Sequence, residues 1–380
     1  MAATTSLGTR RTGLPHILKT ISHYDWWLIL ATLALLTFGM MSLYSIDVGT
    51  KSSYFKRQFF FLAVGAVPFL FFLTTRPATL RKFYPILYWF NVALLLVVMR
   101  AGTERGGDAQ RWLIVGPFQF QPSELSKLLI VITLSAYWAT RRKEEIKQAR
   151  TFFISFLHVA LPMILVFKQP HLGATLAIFA TWLTVSLVMG SPGKFAVMSV
   201  ILGLFAMLVA VNVPGILSDY QLDRIRGLFN PNASANGFQV DRALTTIGSG
   251  GLTGKGWKKG DLTASNYVPE AQTDFIITVL GEEGGLIGCG LLLLVYGVFF
   301  FRMWLIMIRA EDHFHKGLLG GVLMIFAFHT IVNLCMVIRL LPVVGLWLPF
   351  MSSGGTALWL CLACVGLVLN IKAREGVAKF

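Results

Sequence analysis

The chain has 380 residues, 55% of them hydrophobic and only 13% charged, with a mean hydropathy of +0.68. Soluble domains carry about 25% charged residues, and a core of this size cannot hide such an apolar excess, so a water-soluble enzyme is excluded. The net charge of +15 is spread thinly between apolar stretches, with no basic helix or aromatic–basic patch, which excludes nucleic acid as a partner and leaves a topological role for the cations.

Residues 1–24 are polar and basic without a cleavable apolar region, so the first span reads as an uncleaved signal anchor. Crossing a bilayer takes about 20 apolar residues in a helix. Candidate spans follow at 26–45, 57–75, 83–100, 122–139, 151–167, 173–190, 194–212, 275–301, 316–336 and 355–372. Interior Pro68, Pro162 and Gly203 are tolerable in such helices. The expected fold is all-α: a polytopic integral membrane protein of about ten transmembrane helices forming a single domain over 1–380. With the N-terminus inside, about eighteen Lys and Arg fall on the inner side and about eight in the short outer segments. Both termini are then cytoplasmic, and the large polar loop 213–273, between spans 7 and 8, is extracytoplasmic.

Four cysteines, Cys289, Cys335, Cys361 and Cys364, lie in apolar stretches and read as packing residues. The seven histidines show no metal-site spacing with carboxylates. Charges inside spans are costly and need a reason. Glu124 and Lys127, near the outer start of span four, share a helix face at i,i+3 and form either a structural ion pair or the polar wall of a cavity. Within the long loop, Arg224 and Arg226 supply cations. The glycine-rich run from Ile247 to Trp257 is either an anion-binding nest or a plain tight turn, and it lacks a P-loop ending. Where the loop meets span eight, Asp274 or Thr273 reads as the N-cap, and capping does not exclude chemistry, because a capping carboxylate at a membrane mouth is both immobilised and partly desolvated. Glu282 and Glu283 lie roughly 12 Å further in, as hydrogen-bonding partners or site residues.

Several motifs then run through nearly the whole chain in one order. They are Arg111-Trp112, Phe120-Gln121-Pro122-Ser123-Glu124-Leu125 with Lys127, Gln169-Pro170, Gly248-Ser249-Gly250-Gly251-Leu252, Gly254-Lys255-Gly256-Trp257, Val268-Pro269-Glu270, Thr273-Asp274-Phe275-Ile276, Gly281-Glu282-Glu283-Gly284 and Ser352-Ser353-Gly354-Gly355-Thr356. In them the chain resembles the SEDS family (shape, elongation, division, sporulation). Gly254-Lys255-Gly256-Trp257 and Leu341-Pro342-Val343-Val344-Gly345 look more like its RodA-type elongation members than its FtsW-type division members.

The resemblance implies a peptidoglycan glycosyltransferase in the bacterial cytoplasmic (inner) membrane. Its activity would be polymerising lipid II, the undecaprenyl-pyrophosphate-linked disaccharide-pentapeptide, into glycan strands on the outer face during elongation and shape maintenance. It implies a class B penicillin-binding protein as crosslinking partner, together with the elongation machinery and membrane lipid. The family's essential aspartate falls on Asp274, and its cavity glutamate and lysine on Glu124 and Lys127. Further substrate-binding residues expected from the motifs are Arg111, Gln121, Ser123 and Arg224, with Glu270, Ser352 and Ser353. Three positions depart from the family pattern: His171 replaces an aspartate, Gln272 often a histidine, and Arg339 a small residue.

Pyrophosphate leaves without a strong acid if cations or a divalent metal, magnesium or manganese, stabilise it. One carboxylate, Asp274, is then sufficient as general base for the acceptor 4-hydroxyl, with Lys127, Arg111 or Arg224 near the pyrophosphate. A lipid II flippase also suits ten spans with buried charges, but it needs polar groups all along a path through the bilayer. Here they gather at the outer mouth. A non-catalytic scaffold leaves the loop pattern unexplained.

Overall fold

The computed structural model describes residues 23–104, 110–115, 118–229 and 235–377. The basic segment before the first span therefore lies mostly outside the described residues. Ten long helices occupy the ten expected segments: α1 (Trp26–Thr50), α2 (Tyr54–Thr74), α4 (Tyr84–Ala101), α5 (Pro122–Ala139), α7 (Ala149–Phe167), α8 (Leu172–Val188), α9 (Gly193–Asn212), α13 (Ile276–Arg309), α14 (His313–Val337) and α15 (Gly355–Val377). The short α3 (Pro77–Lys82) and α6 (Lys143–Ile146) connect neighbours. Eight of the ten are long and apolar enough to cross a membrane, whereas α8 is a shorter apolar helix and α5 is not among the eight.

The exception of α5 has a physical cause. From Ser126 to Trp138 it is buried without a break, packed among α4, α7, α8, α14 and α15. A helix enclosed by protein on every side is free to carry polar side chains that a lipid-facing one could not. At the other extreme, α9 buries only Ala196 and Ser199, and Val197, Ile201, Leu204, Phe205 and Leu208 are exposed, as suits a face turned to lipid.

The tightest pairing is α2 with α15. A Cβ on Gly366 would lie 2.4 Å from the Phe69 carbonyl oxygen, and the Asn370 amide donates to the Phe72 and Thr75 carbonyls at 2.8 and 2.5 Å. Asp25 caps α1 through the Leu28 N–H and pairs with Arg302 of α13, tying one end of the bundle. The candidate site residues gather at the other end.

The segment expected as one long polar loop is substantially helical. It holds α10 (Asp219–Phe229), α11 (Ala235–Ser249) and α12 (Asp261–Ala264). A small antiparallel sheet, β1 (Thr103–Glu104), β2 (Gln110–Val115) and β3 (Phe118–Phe120), stands between α4 and α5 and adds strand to the all-α expectation. β1 and β3 are too short to give a period-2 signal, and β2, Gln110-Arg111-Trp112-Leu113-Ile114-Val115, does not alternate polar with apolar.

Helix α13 is broken at Gly285, where φ is 62° and ψ −161°. The glycine-rich run explains the break. A Cβ on Gly250 would lie 2.0 Å from the Gly281 carbonyl oxygen, and one on Gly254 2.1 Å from that of Glu283. At this spacing backbone meets backbone: Lys255 and Gly256 donate to the Glu282 and Glu283 carbonyls, while Leu286 and Ile287 donate back to those of Gly251 and Leu252. The glycines are there for close approach; the Gly256 N–H is committed to α13, and those of Gly250, Gly251 and Gly254 go to the carbonyls of Ile247, Gly248 and Gly250, so these four are spent within the protein rather than on an anion.

Candidate active site

Gln121 is the N-cap of α5, with Pro122 in its first turn, where a fixed φ and a missing N–H cost nothing. That start brings Glu124 and Lys127 one turn apart on the same face. The Lys127 ammonium donates to both Glu124 carboxylate oxygens at 2.9 Å and to Nε2 of His329, from α14, at 2.8 Å. All three N–H groups are thereby used, at 0% exposure. Because His329 accepts on Nε2, its own proton sits on Nδ1, 3.4 Å from the Trp347 carbonyl oxygen. The Trp347 indole N–H donates to Glu124 at 3.0 Å, and its ring lies 4.0 Å from that of His329.

Beside this cluster, Nδ1 of His171 faces Ser123 Oγ at 3.2 Å and Gln121 Nε2 at 3.4 Å. The charges of Arg111, Lys127 and Arg224 all reach His171, which accounts for an acid there in the family pattern. Here an imidazole accepts neutral hydrogen bonds instead. Arg111 is fixed by two 2.7 Å bonds from its guanidinium to the Gln169 and Pro170 carbonyls.

Asp274 stands just outside α13. The N-cap of that helix is Phe275, with no side-chain cap bond, so the capping reading of Asp274 fails. Three successive carbonyls of the approach are pinned: that of Gln272 by the Ser353 N–H at 2.8 Å, that of Thr273 by Ser352 Oγ at 2.6 Å, and that of Asp274 by the Asn333 amide at 2.8 Å. Ser352 also accepts from the Leu348 N–H, and Gln58 holds Ser352 and Gly354 from α2. Burial raises the Asp274 carboxyl to about 6, with Arg224 opposing that rise and Glu270 adding to it. Glu270, exposed and at φ 55°, accepts from the side chains of Gln272 and Thr273.

Glu124, Lys127, Gln121 and Ser123 thus stand together at the start of α5 as one wall, linked through His329 and Asn333 of α14 to Asp274, whose carboxyl feels the charges of Arg224 and Glu270. Ser352 and Ser353, expected to bind substrate, donate to the backbone leading to Asp274. Glu282 is structural: buried, it accepts from Lys255 Nζ, the N–H groups of Leu262 and Thr263, and Thr263 Oγ1. Glu283 accepts from Ser45. His329, Asn333 and Trp347 were missed by the sequence reading. For the first two a signal existed: polar side chains at i,i+4 within an apolar span. Trp347 has none.

Among the described residues, no three His, Cys, Asp or Glu side chains gather into a metal-binding group.

The chain matches the FtsW/RodA/SpoVE family model, described as cell cycle protein, over residues 26–376. It is 32% identical over 359 residues to the peptidoglycan glycosyltransferase MrdB of Escherichia coli, covering 93% of this chain and 94% of that protein. Stage V sporulation protein E of Bacillus subtilis is 31% identical over 358 residues, 91% of this chain and 96% of that one. An FtsW-named relative from Trichlorobacter lovleyi is 33% identical, so overall identity does not separate elongation from division members. Among solved structures, the rod shape determining protein RodA of Thermus thermophilus superposes with a TM-score of 0.69 at 27% identity, covering 93% of this chain and 97% of that one. A chain of a peptidoglycan synthase complex that coordinates polymerization and crosslinking reaches 0.79 at 28% identity, covering 93% and 98%. With the motifs, the helical frame and these matches in agreement, the chain belongs to the FtsW/RodA/SpoVE family, the SEDS proteins.

Proposed function

We propose that the chain is a peptidoglycan glycosyltransferase that polymerises lipid II on the outer face of the cytoplasmic membrane. The observation that carries this is Asp274, whose backbone is held through three successive pinned carbonyls and whose carboxyl burial raises to about 6, with the charge of Arg224 opposing the rise. The names of the relatives support the reaction class. A base with a pKa just below working pH is ionised yet still basic enough to take a proton.

In this reading Asp274 removes the proton of the acceptor 4-hydroxyl as its oxygen bonds to the anomeric carbon of the donor. The bond from that carbon to the pyrophosphate oxygen breaks, and undecaprenyl pyrophosphate leaves with its charge facing Arg224 and Arg111. A single displacement inverts the anomeric centre. Lys127 holds Glu124 and His329 rather than a free phosphate, so its part is to shape the wall. Exposed Glu270 is the carboxylate that would hold a divalent cation here, whose charge would offset that of the leaving pyrophosphate.

The basic inner loops and the gathering of polar side chains at one end of the bundle support cytoplasmic termini, with this mouth facing outward in all ten spans. Lipid-linked substrates then enter sideways from the bilayer. The Gly254-Lys255-Gly256-Trp257 and Leu341-Pro342-Val343 motifs favour elongation duty, with a class B penicillin-binding protein crosslinking the product. Proteoliposomes carrying the purified chain and labelled lipid II separate this from the flippase reading. Polymerised glycan is expected, and translocation of unpolymerised lipid II without glycan would contradict it.

A further inference from the structure

Asn333 is wholly buried in α14, at 0% exposure, and its amide nitrogen donates to two carbonyls at once. One is that of Asp274 at 2.8 Å, the other that of Leu346 at 2.6 Å. The orientation of the amide follows from the partners: the flipped form would press its oxygen against two carbonyl oxygens. Its Oδ1, in contrast, is buried without a hydrogen-bond partner. Leaving a buried acceptor without a partner costs free energy, so the site accepts a penalty to keep this amide between two loops. One turn earlier on the same helix, at i,i+4, His329 receives Lys127.

We infer that Asn333 is the positioning residue that sets Asp274 against the Glu124–Lys127 wall, resting on the reading of Asp274 as the base. Through one rigid turn of α14, His329 holds the α5 wall and Asn333 holds the backbone of Asp274. The spacing between the two walls is then that of two residues on a single helix. Ser352 and Ser353 fix the direction of the approach, and Asn333 fixes its end.

The molecule supplies its own control. Asn370, also buried, likewise donates one amide to two carbonyls, of Phe72 and Thr75, but at the far end of α15, away from this mouth. If Asn333 is only a structural staple, Asn333→Ala and Asn370→Ala should behave alike. The measurement is lipid II polymerisation by detergent-purified wild type and both variants, with kcat and KM separated and thermal unfolding in parallel. Asn333→Ala is expected to lose roughly 100-fold in kcat, the size of effect that follows a misplacement of about 1 Å, with KM within about twofold of wild type. Asn370→Ala should lose comparable thermal stability and keep wild-type kcat. Asn333→Asp keeps the shape and, protonated, regains one donor, so its kcat should lie between wild type and alanine; it also serves if the alanine variant fails to fold. Wild-type kcat in Asn333→Ala, or in Asn333→Asp where only that variant folds, overturns the inference while leaving the reaction standing. So does an activity loss that tracks thermal stability equally in both asparagines. Absence of polymer from wild type overturns the reaction itself, and the inference with it.

Discussion

Lys127 places its ammonium 2.8 Å from Nε2 of His329 and gives its remaining protons to Glu124. A charge this deeply sunk is tolerable only because each proton has an acceptor and each carboxylate oxygen a donor. Lys127→Met should therefore cost about 3–5 kcal/mol, by stranding the Glu124 charge. The double variant Glu124→Gln, Lys127→Met should recover to within roughly 2 kcal/mol of wild type, because no charge is left unpaired. Thermal unfolding in detergent measures both.

The carboxyl of Asp274 titrates near 6 in the folded protein against an ordinary value of 3.8. Its folded value is raised, so the folded state holds the proton more tightly, and stability tied to this group is lost as pH rises from about 4 through 6. Asp274→Asn, always neutral, should be more stable than wild type by about 1–3 kcal/mol above pH ~6 and no more stable below pH ~4. Activity runs the other way. The kcat/KM of wild type should fall about tenfold per pH unit below ~6, as the base is protonated. Unfolding and rate profiles from pH 4 to 8 test the two limbs.

Three glycines of one motif should respond differently to alanine. At Gly254 the new Cβ would lie 2.1 Å from the Glu283 carbonyl oxygen, and at Gly250 2.0 Å from that of Gly281. These are backbone atoms that cannot swing away, so each substitution should destabilise by about 3 kcal/mol or more. Gly248 sits in α11 with nothing within 4 Å of its would-be Cβ, and alanine there should gain up to about 1 kcal/mol. Ranking the three by thermal unfolding checks the backbone docking of this run onto α13.

Arg339 occupies the left-handed region at φ 59° and pairs with Asp241 of α11. The backbone penalty for a non-glycine residue there is about 1–2 kcal/mol, while a partly exposed pair returns about 0–1 kcal/mol. Arg339→Gly removes both and should come within about 1 kcal/mol of wild type. Arg339→Ala keeps the strain without the pair and should be the less stable variant by about 1 kcal/mol. Differential unfolding of the pair reads this out.

The helical frame was legible because a bilayer demands long apolar runs, and the ten runs became the ten long helices. The run that became α5 was among them, but not the reason for its polar residues, which are tolerable only inside a protein jacket that no local window reveals. Asp274 stood out as a carboxylate at a junction, yet whether it capped α13 depended on where the helix begins. Phe275 as N-cap settles that. The glycine run was ambiguous between anion nest and close packing because its partner, the break at Gly285, lies thirty residues on. Glu282 had the same ambiguity for the same reason. His329 and Asn333 were visible as polar residues in a span, but their partners Lys127 and Asp274 are far away in sequence.

The central claim is that Asp274 is the base for glycosyl transfer, and one assay bears on it most directly. Detergent-purified wild type and Asp274→Asn are incubated with labelled lipid II at pH 7.5, with folding verified by thermal unfolding. The account expects glycan strands from wild type and none from an equally folded or more stable Asp274→Asn. Normal polymerisation by that variant would contradict it.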